Sequence, residues 1–169
     1  CVPRLPARAP RAPAAARDWR ALERFGVVGG AVHPTSWPMV SHRLSACRQL
    51  HSLSLSGCVG LTDATLHGVL PACGQLRSLR LSRLQLVTPI IASSSLCALW
   101  LNECECLTSP RVACPRLHTL ELTGSDKLID PAIASDSLTR LDLSGCQQLI
   151  KPLLRLPALT ELDLSTCTA

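Results

Sequence analysis

Ten cysteines and five histidines stand among the 169 residues. They are the side chains of this sequence best suited to chemistry, because thiolates and imidazoles bind metals and act as nucleophiles or bases. Their spacing narrows the options. Cys104–Glu105–Cys106 is the closest pair and supplies two ligands, whereas a closed zinc site takes four. His33, His42, His51, His67 and His118 share no motif. The chain holds no Gly-x-Ser-x-Gly, no glycine-rich phosphate loop and no His-Glu-x-x-His. No catalytic residue, metal ligand or cofactor is assigned, and the chain reads as non-enzymatic.

Seven of the cysteines obey a different rule, and it leads to the elements that place them. The string Leu-x-x-Leu-x-Leu occurs at Leu50/Leu53/Leu55, Leu76/Leu79/Leu81, Leu96/Leu99/Leu101, Leu117/Leu120/Leu122, Leu138/Leu141/Leu143 and Leu159/Leu162/Leu164. Successive copies are 26, 20, 21, 21 and 21 residues apart. One copy means little in a leucine-rich chain, but six in register mark a repeat architecture. Three residues after each copy stand Cys58, Leu84, Cys104, Ser125, Cys146 and Cys167; three before stand Cys47, Cys73, Ser93, Cys114, Ser135 and Leu156. Prolines recur at Pro89, Pro110, Pro131 and Pro152.

In Leu-x-Leu the leucines point one way from a short strand and the intervening residues the other. The chain must then turn with its backbone enclosed, and a small side chain with some hydrogen-bonding ability fits there. The prolines stop the return segments from running on as helices. Only the first unit has room for one: Thr62–Leu70 predicts about two helical turns before Pro71. No unit closes a core alone, so neighbours must stack. The expected fold is an α/β leucine-rich-repeat solenoid of about six repeats over residues 46–169, curved, with a parallel sheet on the concave face and short helical or turn segments on the convex face. It is expected to be cut at its C-terminal end. The low aromatic content of 2% agrees with a core of stacked leucines.

LHSLSLSGCVGLTD (residues 50–63) and LTRLDLSGCQQL (138–149) resemble the cysteine-containing leucine-rich repeat. That repeat is met most often in F-box proteins, the substrate-recognition subunits of cullin-based ubiquitin ligases. The resemblance implies that the repeats hold a substrate. An adaptor would be gripped by an F-box outside this fragment, since residues 1–45 carry no Leu-Pro-x-Glu/Asp start. Alternatives are a repeat scaffold without F-box, or the sensing arm of a larger multidomain enzyme.

The outward strand positions form ladders across the expected sheet. The central one reads Ser54, Arg80, Trp100, Glu121, Asp142, Asp163; the one before it Ser52, Ser78, Ala98, Thr119, Arg140, Glu161. Trp100 is the expected apolar anchor on the concave face. Glu121, Asp142, Glu161 and Asp163, with Arg80 and Arg140 beside them, are expected to set charge complementarity toward a basic segment of a protein partner.

The net charge of +5 is unevenly placed. Residues 1–45 hold seven arginines against Asp18 and Glu23, while residues 46–169 hold ten cations and ten anions. Residues 1–45 read as a basic Pro/Ala/Arg-rich arm, largely disordered, with a short helix near 17–26 and an irregular stretch to 45. The repeats offer no basic face with stacking aromatics, so no nucleic-acid partner is expected. No run of about 18 apolar residues predicts a membrane span. Cysteines spent on packing columns point to a reducing, intracellular compartment, cytoplasmic or nuclear.

Overall fold

The computed structural model describes residues 23–26 and 37–167. Its spine is a parallel sheet of seven three-residue strands: β1 (Arg24–Gly26), β2 (Ser52–Ser54), β3 (Ser78–Arg80), β5 (Ala98–Trp100), β7 (Thr119–Glu121), β9 (Arg140–Asp142) and β11 (Glu161–Asp163), in that spatial order. The chain is thus a leucine-rich-repeat-like solenoid, as the period requires. The register aligns Leu53, Leu79, Leu99, Leu120, Leu141 and Leu162 across the sheet, with Phe25 at its N-terminal edge. The leucines between Leu50 and Leu143 in the three repeat columns are fully buried and fill one continuous core. Leu162 and Leu164, on the edge strand, stay about half exposed.

The N-terminal segment departs from expectation. A helix over 17–26 is not what its described part forms: residues 24–26 are strand β1, paired with β2, and Glu23 O accepts from His51 and Ser52 N–H. Residues 17–22 lie outside the described residues. The stretch read as irregular ends in helix α1 (Trp37–Ser45), which packs against the helix over Asp63–Val69 and buries Leu44. The folded unit therefore begins before residue 46. Three strand residues paired with a distant edge carry no local periodicity that would mark them as strand.

Helical return segments hold for the first repeat only. There α2 (Asp63–Val69) is capped by Thr62, whose hydroxyl accepts from Thr65 N–H, and a single 3-10 turn Leu70–Ala72 follows. The later repeats return instead through a second parallel sheet, β4 (Ile90–Ala92), β6 (Arg111–Ala113), β8 (Ala132–Ala134) and β10 (Leu153–Arg155). The turn segments expected for these later repeats are thus short strands that pair from one repeat to the next. Each strand begins just after a column proline, and the prolines' carbonyls feed the ladder: Arg111, Ala132 and Leu153 N–H donate to Pro89, Pro110 and Pro131 O at 2.9 Å. Proline suits the strand's first position because no donor is needed from it. Ile91, Val112 and Ile133 turn inward and are buried. Their 21-residue period was in the sequence, within Pro-x-Ile/Val-Ala strings, and was not read.

The turn after each main strand repeats one conformation. Gly57, Arg83, Glu103, Gly124, Gly145 and Thr166 all have positive φ. The backbone N–H groups of the first five extend the ladder one step past the strands, as in Gly124 N–H to Ser144 O at 2.8 Å and Gly145 N–H to Ser165 O at 2.9 Å. The next residue is the column side chain, Leu84 in one repeat and a small donor in the four that follow, where it donates to the carbonyl just past the previous repeat's strand. Cys104 Sγ reaches Leu81 O at 3.4 Å, Ser125 Oγ Leu101 O at 3.1 Å, Cys146 Sγ Leu122 O at 3.4 Å and Cys167 Sγ Leu143 O at 3.2 Å. A thiol here is a packing atom and a donor at once. Burial pushes the Cys146 thiol up to about 11, so it stays protonated at neutral pH.

Candidate protein-binding face

The outward residues of the seven-stranded sheet stand in the expected ladders. Arg80, Trp100, Glu121, Asp142 and Asp163 occupy equivalent positions on β3, β5, β7, β9 and β11. Arg140 and Glu161 are neighbours in the adjoining ladder and pair at 3.8 Å. Alternation puts these side chains on one face because each is next to a buried leucine of its strand.

Trp100 is half-buried, and the Arg80 guanidinium lies 4.3 Å from its ring centroid. A stacked cation fixes the indole and covers part of its π-face. The pair borders a groove of about 400 Å³ lined by Ser82, Arg83, Asn102, Glu103 and Glu121 as well. Asn102 was not among the predicted residues, yet it organises this floor. Its side-chain N–H donates to Glu121 Oε2 at 3.1 Å, its Oδ1 accepts from Thr123 N–H at 3.1 Å, and its own N–H donates to Ser82 Oγ at 3.3 Å.

Arg83 and Glu103 were also missed. They form a two-pronged ion pair, Arg83 Nε to Glu103 Oε2 at 2.8 Å and Nη2 to Oε1 at 3.1 Å. The hydrogen bond from Arg83 holds the Glu103 carboxyl below its ordinary range. Both are left-handed residues with side chains, a conformation that disfavours anything but glycine, and such residues cluster at functional sites. A signal was available: the turn column reads Gly57, Arg83, Glu103, Gly124, Gly145, Thr166, and two adjacent departures from glycine flank Trp100.

The acidic run is more organised than a solvated row of charges. Asp142 Oδ1 accepts from Ser144 N–H at 2.9 Å and Oγ at 2.6 Å; Asp163 Oδ1 accepts from Ser165 N–H at 2.8 Å and Oγ at 2.6 Å. The Ser165 hydroxyl, then its N–H, and Arg140 nearby hold the Asp163 carboxyl below its ordinary range. One oxygen of each aspartate thus shapes the turn, and the other makes no hydrogen bond among the described residues.

The opposite, four-stranded face carries a depression of about 560 Å³. Ala113, Ala132, Ala134 and Leu153 floor it between Arg111 and Arg155, and Ser109 donates to Asp130 at its rim. It offers no aromatic anchor. Among the described residues no cluster of His, Cys, Asp or Glu is placed to hold a metal ion. No helix among them is long and apolar enough to cross a membrane.

No family model matches the chain. A stretch of 45 residues is 56% identical to the protein named DNA repair protein rhp7 of Schizosaccharomyces pombe; it covers 26% of this chain and 8% of that protein. The chain therefore spans a small part of that relative's length. Fold and face agree on the coarser statement: this is a repeat solenoid whose architecture fits a protein-binding module.

Proposed function

We propose that the chain binds a protein partner on the outward face of its seven-stranded sheet, as the substrate-recognition part of an F-box-type ubiquitin-ligase subunit. The observation that carries the binding reading is Trp100, half-buried at mid-sheet beside a polar groove and clamped under Arg80. A rigid, partly desolvated aromatic is the commonest kind of interface anchor. The ligase reading rests on the cysteine-column repeats alone. The adaptor contact lies in a region outside these residues, and the solenoid does no chemistry: it holds a target near another machine. The thiol-to-carbonyl hydrogen bonds of Cys104, Cys146 and Cys167 support a reducing, intracellular setting, because oxidation would remove those donors.

A second reading follows from the short match to a protein named for DNA repair: the solenoid then serves an assembly in that process. One experiment addresses both. The protein is captured from cell lysate as wild type and as the triple variant Trp100→Ala, Asp142→Lys, Asp163→Lys. Loss of a defined partner from a variant with unchanged circular dichroism supports the face. Cullin-ligase adaptors retained by both forms support the ligase reading, and DNA-repair factors in their place support the second. An unchanged partner list sinks the binding face.

A further inference from the structure

The binding face has a polarity that constrains what it takes. From β3 to β11 the central ladder runs cation, aromatic, then three carboxylates: Arg80, Trp100, Glu121, Asp142, Asp163. Arg80 is held by its stack on Trp100 and has no ion pair among the described residues, so its edge donors face solvent. Asp142 and Asp163 are pre-oriented by their serines and leave one oxygen each for a partner. Glu121 is fixed by Asn102. The two signs are therefore separated by an aromatic and locked in place, which is more specific than a charged patch.

We infer that the partner is an extended segment crossing the strands with an acidic residue opposite Arg80, an apolar residue on Trp100 and two basic residues opposite the aspartates. This rests on the reading of the face as a binding site and adds the order of the partner's side chains. Dimensions support it. Strands about 4.8 Å apart put Trp100 about 5 Å, Asp142 about 14 Å and Asp163 about 19 Å from Arg80 along the sheet. In an extended chain rising about 3.3 Å per residue, same-side residues fall at about 0, 7, 13 and 20 Å. Positions one, three, five and seven of a seven-residue segment therefore meet Arg80, Trp100, Asp142 and Asp163 within about 2 Å each. Charge complementarity then selects acidic, apolar, basic, basic in that order.

The test uses labelled, capped peptides and fluorescence polarisation with the full protein. The matched probe is Glu-Ser-Leu-Ser-Lys-Ser-Lys. The permuted probe, Lys-Ser-Leu-Ser-Glu-Ser-Lys, has the same composition and cannot restore the order by reversing its direction. The third probe, Lys-Ser-Leu-Ser-Lys-Ser-Lys, replaces only the acidic residue. The matched probe is expected to bind wild type about tenfold more tightly than either of the others. In Arg80→Glu, with Arg80→Gln as the neutral control, the preference between the matched and third probes inverts. Equal binding of matched and permuted probes, indifference to Arg80→Glu, or no saturable binding up to about 1 mM overturns the inference. If the partner captured from lysate depends on Trp100 and the aspartates but not on Arg80, the face stands and the order falls. If capture ignores all of them, both fall.

Discussion

Replacement of Cys104 separates the two jobs assigned to the cysteine column, filling space and donating a hydrogen bond. Cys104 is fully buried, with its thiol 3.4 Å from Leu81 O. Alanine removes one buried heavy atom, worth about 1 kcal/mol of transfer. It also leaves a buried carbonyl without this donor, at about 1–3 kcal/mol. The expected loss is about 2–4 kcal/mol. Serine keeps the donor and has a precedent one repeat on, where Ser125 Oγ meets Leu101 O at 3.1 Å. Its expected cost is about 1 kcal/mol, from exchanging sulfur for a less apolar atom. Valine restores bulk without a donor and adds a β-branch at a position fitted to a thiol, so about 2–3 kcal/mol is expected. The predicted order of stability is wild type, serine, valine, alanine. Urea midpoints followed by circular dichroism at an unchanged slope read it directly. Valine as stable as serine, or alanine within about 0.5 kcal/mol of wild type, would show that the column is filler and that the carbonyl needs no partner.

Two further perturbations follow from the same geometry. Gly145 has φ +75 and a Cβ there would sit 3.3 Å from Gly124 Cα and N, so Gly145→Ala should cost about 1–3 kcal/mol, whereas Gly68→Ala, inside α2 with nothing within 4 Å, should gain about 0.5–1 kcal/mol in the same urea titration. Burial pushes the Cys73, Cys114 and Cys146 thiols from 9.0 up to about 11. Because the folded values lie above the unfolded ones, the native state holds these protons more tightly; that stability is complete below about pH 9 and is lost as pH rises to about 11. Thermal midpoints should therefore fall steeply between those two pH values, and a flat profile would refute the assignment.

The repeat period alone made the solenoid legible. Leucines at fixed steps of about 21 residues leave one economical solution, because no unit can bury its own apolar edge and each must stack on the next. From that stacking the ladders follow, and with them the order Arg80, Trp100, Glu121, Asp142, Asp163. The small residues that follow all but one of the repeat strands were legible for the same reason: their column was visible, and an enclosed turn needs little volume.

Tertiary structure decided what no local pattern encodes. Residues 24–26 became a strand because β2 offered an edge, an interaction between residues nearly thirty apart in the chain. The later returns became a second sheet because strands one repeat apart could pair, with Pro89, Pro110, Pro131 and Pro152 marking their starts rather than the ends of helices. The groove beside Trp100 needed Asn102, Arg83 and Glu103, which lie on neighbouring turns and meet only once the coils are stacked. Periodicity specifies which residues share a column; contacts between columns, and the direction in which a carboxylate or guanidinium is finally held, depend on distances that exist only in the folded stack.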